Sequence, residues 1–343
     1  MKRFLSLLLV CVMLVAMVAC GGAEESKAPE SQAPESAAPA PESQAPESAA
    51  PVGTDWPTKP ITVIVPAGAG GDTDLNFRIF AKYLQEELGQ TIVVTNIKGV
   101  SVALEEFAKA PGDGYTAYVH HPGLFCASLL GTTDKAWTDF KTVGIYCMDK
   151  QSAWFISKDA PFQTLDEMCE AAKAAPVSYA TEVGSMSHLN ALALMNLVPG
   201  VQINVVDAGG AADKITALMG DQLDLMFNQA GLVKDYLANG DFKCLGIMAE
   251  ERSEFNPDIP TFKEQGYDMV FDKPFWWMFP ADTDDAIVAK ACEAFQAVFA
   301  NDEYAAELGE TMQTYPGDMT QAESIEYLTN MNDEYAELLA GMM

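Results

Sequence analysis

The sequence predicts an α/β protein whose folded part has two similar domains, each a doubly wound sheet with flanking helices. Short β-branched runs alternate with helix-period segments along most of the chain, which is the pattern of strand-crossover-strand units. A strand, a glycine-bearing loop and a helix start follow one another three times, beginning at Ile61, Val177 and Ile203. Residues 56–343, once the two unusual N-terminal segments are set aside, are the right length for two domains of ordinary size.

The first unit is the clearest. Five β-branched residues in a row, Ile61 to Val65, read as a buried strand, because crowded Cβ atoms suit a covered, pleated surface. Pro66 ends it, and a loop from Ala67 to Gly71 follows. Asp72, Thr73 or Asp74 can cap a helix whose apolar face runs through Leu75, Ile79, Tyr83 and Leu88, with Gly89 as its stop. Thr91–Thr95 reads as a second strand, about 102–109 as a helix, and Tyr115–His120 as a third strand after a Pro-Gly-Asp-Gly turn.

From Val143 strand-like segments run to Ser157, where the chain crosses into a second domain, and Thr164 with Glu167 makes a capping box for the next helix. The strand-loop-helix pattern then recurs as VSYAT, the loop 182–187 and a helix from His188 to Leu197. It recurs again as INVVD, Ala208-Gly209-Gly210 and a helix to Met219. A strand ending at Asn228, a helix from about 230 to 237 and the strand KCLGIMA follow, and FWWMF marks the return to the first domain. Three amphipathic helices near 284–299, 302–312 and 320–339 close the chain. The expected division is 56–153 with 272–343 as one domain and 154–271 as the other.

Upstream of this lies a different kind of chain. Lys2 and Arg3 precede an apolar run to Ala19 that is short for a membrane span, so residues 1–19 read as a secretory signal. Its end, LVAMVAC, resembles a bacterial lipoprotein signal, which would leave Cys20 as a lipidated N-terminus. Residues 20–55, which from 23 on repeat Ala-Pro-Glu-Ser units with almost nothing apolar larger than alanine to bury, have the composition of a disordered, extended tether. The expected location is therefore extracytoplasmic, held at the cell membrane by that lipid, and the expected state is a monomer.

The net charge of −29 excludes nucleic acid as a partner. It also gives no long-range attraction for an anion, so an anion site has to work locally, through backbone dipoles. The five cysteines from Cys126 to Cys292 show no zinc spacing and read mostly as small buried hydrophobes.

A glycine loop opening a helix is a device for holding an anion, since the backbone comes close and free N–H groups point outward. The loop 67–71 lacks the Gly-Lys-Ser/Thr of a phosphate loop and the spacing of a dinucleotide fingerprint, and it carries no cation, so a ligand-free connection is equally consistent with it. His120 and His121 are adjacent on a strand end and point to opposite faces, which argues against a metal. Ser185 and His188 suggest a hydrolase, but G-S-M-S-H is not a nucleophile elbow, and Ser187 and His188 are too close in sequence for a nucleophile-base pair. No enzyme activity, cofactor or metal is expected. Trp276 and Trp277 read as packing between domains, or as contacts for a ring-bearing ligand.

These pieces, in this order, resemble the substrate-binding proteins of tripartite tricarboxylate transporters, the Bug family. The resemblance covers essentially all of residues 56–343. It is carried by Trp56-Pro57 and Lys59-Pro60, the P-x-x-x-G-G-x-x-D-x-x-x-R pattern from Pro66 to Arg78, and Leu88-Gly89-Gln90. Further along it is carried by Asp113-Gly114-Tyr115, Gly184-Ser185 with His188-Leu189, Gly220 with Leu223-Asp224, and Pro257 to Thr261 with Glu264-Gln265-Gly266.

The resemblance implies a two-domain periplasmic-binding-protein fold of the Venus flytrap type, closing on one small organic acid. It implies delivery of that acid to integral membrane transporter subunits, one large and one small. Carried over by position, the ligand-binding residues are Ala67, Gly68, Gly70, Gly71 and Asp74 in one domain and Gly184, Ser185, Ser187 and His188 in the other. Ala69 in the first loop, His121 and Asp207 at the rim, and Asn228 at its strand end complete the set. The sequence departs from the family at 96–101, at His120-His121 and at Ala208 beside Asp207, so the family's ligand range does not transfer. A receptor feeding a sensor, or taking a non-carboxylate solute, is the alternative reading; a surface hydrolase using Ser185 and His188 is the distant one.

Overall fold

The computed structural model describes residues 55–340. The signal segment, Cys20 and the tether up to residue 54 lie outside the described residues. Two mixed sheets, flanked by helices, organise everything else.

The chain begins with β1 (Ile61–Val65), α1 (Asp72–Leu88), β2 (Ile92–Asn96), α2 (Val100–Phe107), β3 (Thr116–His120), α3 (Gly123–Leu129) and β4 (Lys141–Asp149). Only Lys150 and Gln151 separate β4 from β5 (Ser152–Ser157), which belongs to the other sheet. There follow α4 (Leu165–Ala174), β6 (Val177–Thr181), α5 (Met186–Leu197), β7 (Ile203–Asp207) and α6 (Ala211–Met219). After them come β8 (Leu225–Gln229), α7 (Ala230–Asn239) and β9 (Phe242–Ile247). The chain returns across 248–272 to β10 (Lys273–Phe279), then forms α8 (Asp285–Phe299), α9 (Asp302–Met312), β11 (Tyr315–Pro316) and α10 (Gln321–Ala340).

The first sheet has the order β11-β4-β10-β3-β1-β2 and the second β7-β6-β8-β5-β9. Strands joined by a helical crossover are parallel: β1 with β2 and β3, β6 with β7 and β8. The wholly parallel sheet that the alternation suggests is modified in each case by one strand arriving from the other sheet, and in the first sheet also by the short β11, antiparallel to β4. β10 runs antiparallel between β3 and β4, and β5 antiparallel between β8 and β9. A strand entering without a helical crossover of its own is free to take the opposite direction.

Local signals set the element ends. Gly89 closes α1 at φ 63°, a backbone region that costs glycine little, and the Thr164 side chain accepts a hydrogen bond from Glu167 N at the start of α4. Trp276 and Trp277 lie fully buried on opposite faces of β10. Trp276 stacks on Phe125 at 5.1 Å, while Trp277 meets Phe77 and Phe295 edge-on, so both serve packing rather than a ligand. The five cysteines from Cys126 to Cys292 are free thiols. Among the described residues no helix is long and apolar enough to cross a membrane.

Candidate functional site

The carboxyl ends of β1, parallel to β2 and β3, and of β6, parallel to β7 and β8, point their loops toward one cavity of about 130 Å³. It is lined from β1 and its loop by Pro66, Ala67, Gly68, Asp72 and Thr73, and from the end of β3 by His120 and His121. The loop before α5 supplies Glu182, Ser185 and Ser187. Gly209, Gly210, Ala211, Asp213 and Lys214 come from the start of α6, with Lys98, Phe227 and Lys273 completing the wall. The N-termini of α1, α5 and α6 thus converge on one space. Each presents partial positive charge from its unpaired backbone N–H groups.

The loop before α1 is held by one carboxylate. Asp74 accepts hydrogen bonds from Gly70 N (2.9 Å), Arg78 Nε (2.9 Å) and Asn96 Nδ2 (2.9 Å). Burial raises its pKa, but these bonds more than offset that and leave the carboxyl below the ordinary range. The N-cap of α1 is Gly71, with no side-chain cap; Asp74 reaches backward to the loop instead. Gly70 takes φ 81°, which only glycine adopts freely.

The loop before α5 is held by hydroxyls. The Ser187 hydroxyl lies 2.5 Å from that of Thr181 and 2.7 Å from that of Ser185, and Ser185 Oγ accepts from Ser187 N. Gly184, at φ 82°, donates its N–H to His188 Nδ1 at 3.3 Å, so His188 serves the loop. Both serine hydroxyls bond within this cluster, and His188 bonds to backbone, so the serine-histidine pairing of a hydrolase does not form.

The sequence-predicted residues therefore separate into two groups. Ala67, Gly68, His121, Ser185 and Ser187 line the cavity. Ala69, Gly70 and Gly71, with Asp74 of α1 and His188 of α5 that bond to the loop backbone, do not line it, and Gly184 and Asp207 face an adjoining pocket with Gly99 and Thr132. Asp207 accepts from Gly209 N, and Asn228 donates to Ala211 O and accepts from Gln229 N, each fixing local backbone.

The sequence reading missed the cations. It found none in the glycine loops and assigned anion binding to backbone amides and hydroxyls, whereas Lys98, Lys214 and Lys273 all reach the cavity from elsewhere. Lys273, the first residue of β10, makes a buried ion pair with Asp72. Burial raises the Asp72 pKa, and Lys273, with Lys214 and the Thr73 N–H, together more than offsets that and leaves the carboxyl depressed. Lys98 bridges to Asp213 at 3.3 Å, joining the loop after β2 to the start of α6.

Lys214 is different. It is 6% exposed, sits in the first turn of α6 where the helix dipole opposes a cation, and has no ion pair among the described residues. Its contact is the Phe227 ring at 5.4 Å. Burial, then Lys273, lowers its pKa to about 8, with Asp72 and Glu182 pulling the other way.

His120 is 3% exposed, and neither ring nitrogen has a hydrogen-bond partner among the described residues. Burial and the Lys273 charge push its pKa down to about 3, so the imidazole is neutral and keeps one donor and one acceptor. Loss of hydration, Lys273 and His120 hold His121 neutral as well, and its Nδ1 accepts from Gly123 N at 3.0 Å. Buried polar groups are ordinarily bonded, so an uncommitted lysine and an orphaned imidazole on one cavity wall mark a place for an external partner.

Comparison with known proteins gives a consistent picture. Residues 76–331 match the family model described as tripartite tricarboxylate transporter family receptor. Protein BugT of Bordetella pertussis is 30% identical over 243 residues, which is 68% of this chain and 74% of BugT. The periplasmic binding protein BugD superposes with a TM-score of 0.77 at 25% identity, over 84% of this chain and 98% of BugD. MatC from Rhodopseudomonas palustris, with bound malate, superposes at 0.75 and 24% identity, over 84% of this chain and all of MatC (100%), a likeness of fold. The resemblance carried by the sequence motifs and the α/β binding-protein fold are both borne out, and the chain belongs to the tripartite tricarboxylate transporter receptor family.

Proposed function

We propose that this protein is a lipid-anchored extracytoplasmic receptor that captures a small organic acid in the cavity between its two sheets and passes it to a membrane transporter. The observation that carries the reading is Lys214, a buried cation without a counter-ion among the described residues, at a cavity where three helices begin. A lysine placed there against the helix dipole lowers stability, and a ligand carboxylate is the partner that would offset the cost. His120 and the backbone N–H groups at the helix starts would supply uncharged hydrogen bonds to the same ligand. The family description names tricarboxylate transport, and MatC has malate bound, which supports a carboxylate as the class.

Closure would turn on the two crossings between the sheets, Lys150-Gln151 and 248–272, with the Lys98–Asp213 bridge acting as a latch across the cavity. Anchoring would follow from lipid on Cys20, and Cys20→Ser would move the protein from the membrane fraction to the soluble fraction.

The test of the binding reading is titration calorimetry with di- and tricarboxylates on the wild type and on Lys214→Met. Saturable binding that Lys214→Met weakens at least tenfold is expected; binding that ignores this substitution would overturn the role given to the cavity. Binding should also weaken as pH rises through about 8, where Lys214 loses its proton against Lys273, Asp72 and Glu182.

A further inference from the structure

Six ionisable side chains other than histidine line the cavity: Lys98, Lys214 and Lys273 against Asp72, Glu182 and Asp213. Four of them are paired, Lys273 with Asp72 and Lys98 with Asp213. Two are not. Lys214 has no carboxylate within ion-pair distance, and the Glu182 carboxylate has no hydrogen bond or ion pair among the described residues. His120 and His121 are neutral, so the wall carries equal numbers of positive and negative groups with one of each uncommitted.

That balance bears on what fits. A plain dicarboxylate gains Lys214 but sets its second charge in a space that already holds Glu182, and like charges brought together away from water repel strongly. Lys214 and the helix starts favour a carboxylate, while Glu182 favours a cation or a strong donor. The position of Glu182 reinforces this. It follows Thr181 directly in the loop before α5, its backbone N–H held at 3.5 Å from Ser187 Oγ, so the loop that offers hydroxyls also carries the acid. Burial raises its pKa, Asp207 and Asp72 add to that, and Lys214 and Lys273 only partly offset it.

We propose that the ligand is an amino-bearing carboxylic acid, its carboxylate received by Lys214 and the converging helix starts and its ammonium by Glu182. The inference rests on the organic-acid reading above and narrows it. An ammonium beside Glu182 and a carboxylate beside Lys214 satisfy both uncommitted charges at once and leave the cavity neutral, whereas either group alone leaves the buried Lys214 or the half-buried Glu182 without a partner.

The test uses matched pairs that differ only by the amino group. Calorimetry on the purified protein at pH 7 would compare aspartate with succinate, glutamate with glutarate, and alanine with propionate. In at least one pair the amino member should bind tenfold tighter or more. Glu182→Gln should weaken that member at least tenfold and tighten its plain counterpart, a crossing that general damage would not produce. If the plain acids bind tighter than their amino partners in the wild type, the inference is overturned while the organic-acid receptor stands. Should no acid of either kind bind, both readings fall. If Glu182→Gln does not fold, the wild-type pairs alone decide.

Discussion

The loops that open α1 and α5 do the same job by different chemistry. Each follows a buried parallel strand, each turns on one glycine near φ +80°, and each aims a helix start at the cavity. The first is fixed by charge, through Asp74 with Arg78 and Asn96 and through the buried Asp72–Lys273 pair beside it. The second is fixed by neutral hydroxyls, Thr181, Ser185 and Ser187. A backbone shape that needs one glycine and one tether can be tethered either way. The energetic consequences differ, because a charge deprived of its partner in low dielectric costs far more than a hydroxyl deprived of one.

The contrast breaks first at Lys273. Lys273→Met strands Asp72 and should cost about 3–5 kcal/mol in urea unfolding, with Asp72→Asn in the same chain recovering most of it. Equal losses for the single and double variants would refute the pairing. Asp74→Ala comes next, removing three acceptor bonds from the first loop at a cost of about 2–3 kcal/mol.

Acid should divide the loops as well. Asp72 and Asp74 have depressed folded-state pKa values, so the stability they contribute is fully present above their unfolded values, near 4, and is lost as pH falls through the folded ones. Hydrogen exchange at pH 3 should therefore speed up at the start of α1 before it does at the start of α5; the reverse order would contradict the charge assignment. The smallest effect belongs to Ser187→Ala, about 1 kcal/mol, since its partners are hydroxyls that can bond elsewhere.

Much of this was legible in the sequence because it is local. Ile61–Val65, the glycine turns, Gly89 and the Thr164 cap each act within a few residues, and the three closing helices fall at 285–299, 302–312 and 321–340. The antiparallel β10 and the lysines were not legible, because both depend on pairing between distant segments. Lys273 reaches Asp72 across 201 positions, and no local pattern encodes that. One signal was available: Lys214 stands in the first turn of a helix that follows the third glycine loop, a position where a cation is disfavoured. The third loop was read as a repeat of the motif, yet Asp207 was chosen from it rather than Gly209 or Gly210, the residues that reach the cavity.

The seat of β10 between β3 and β4 also fixes an order of assembly. The second sheet is drawn from one unbroken stretch, Ser152 to Ile247, and has all its strands once that stretch has emerged. The first sheet, though it begins earlier, stays split, with β3 and β4 each lacking a neighbour until residues 273–279 arrive. Unpaired strand edges invite association with other chains. The part of the chain that is made first is therefore the last to complete its sheet, and for that interval β3 and β4 are its exposed liability.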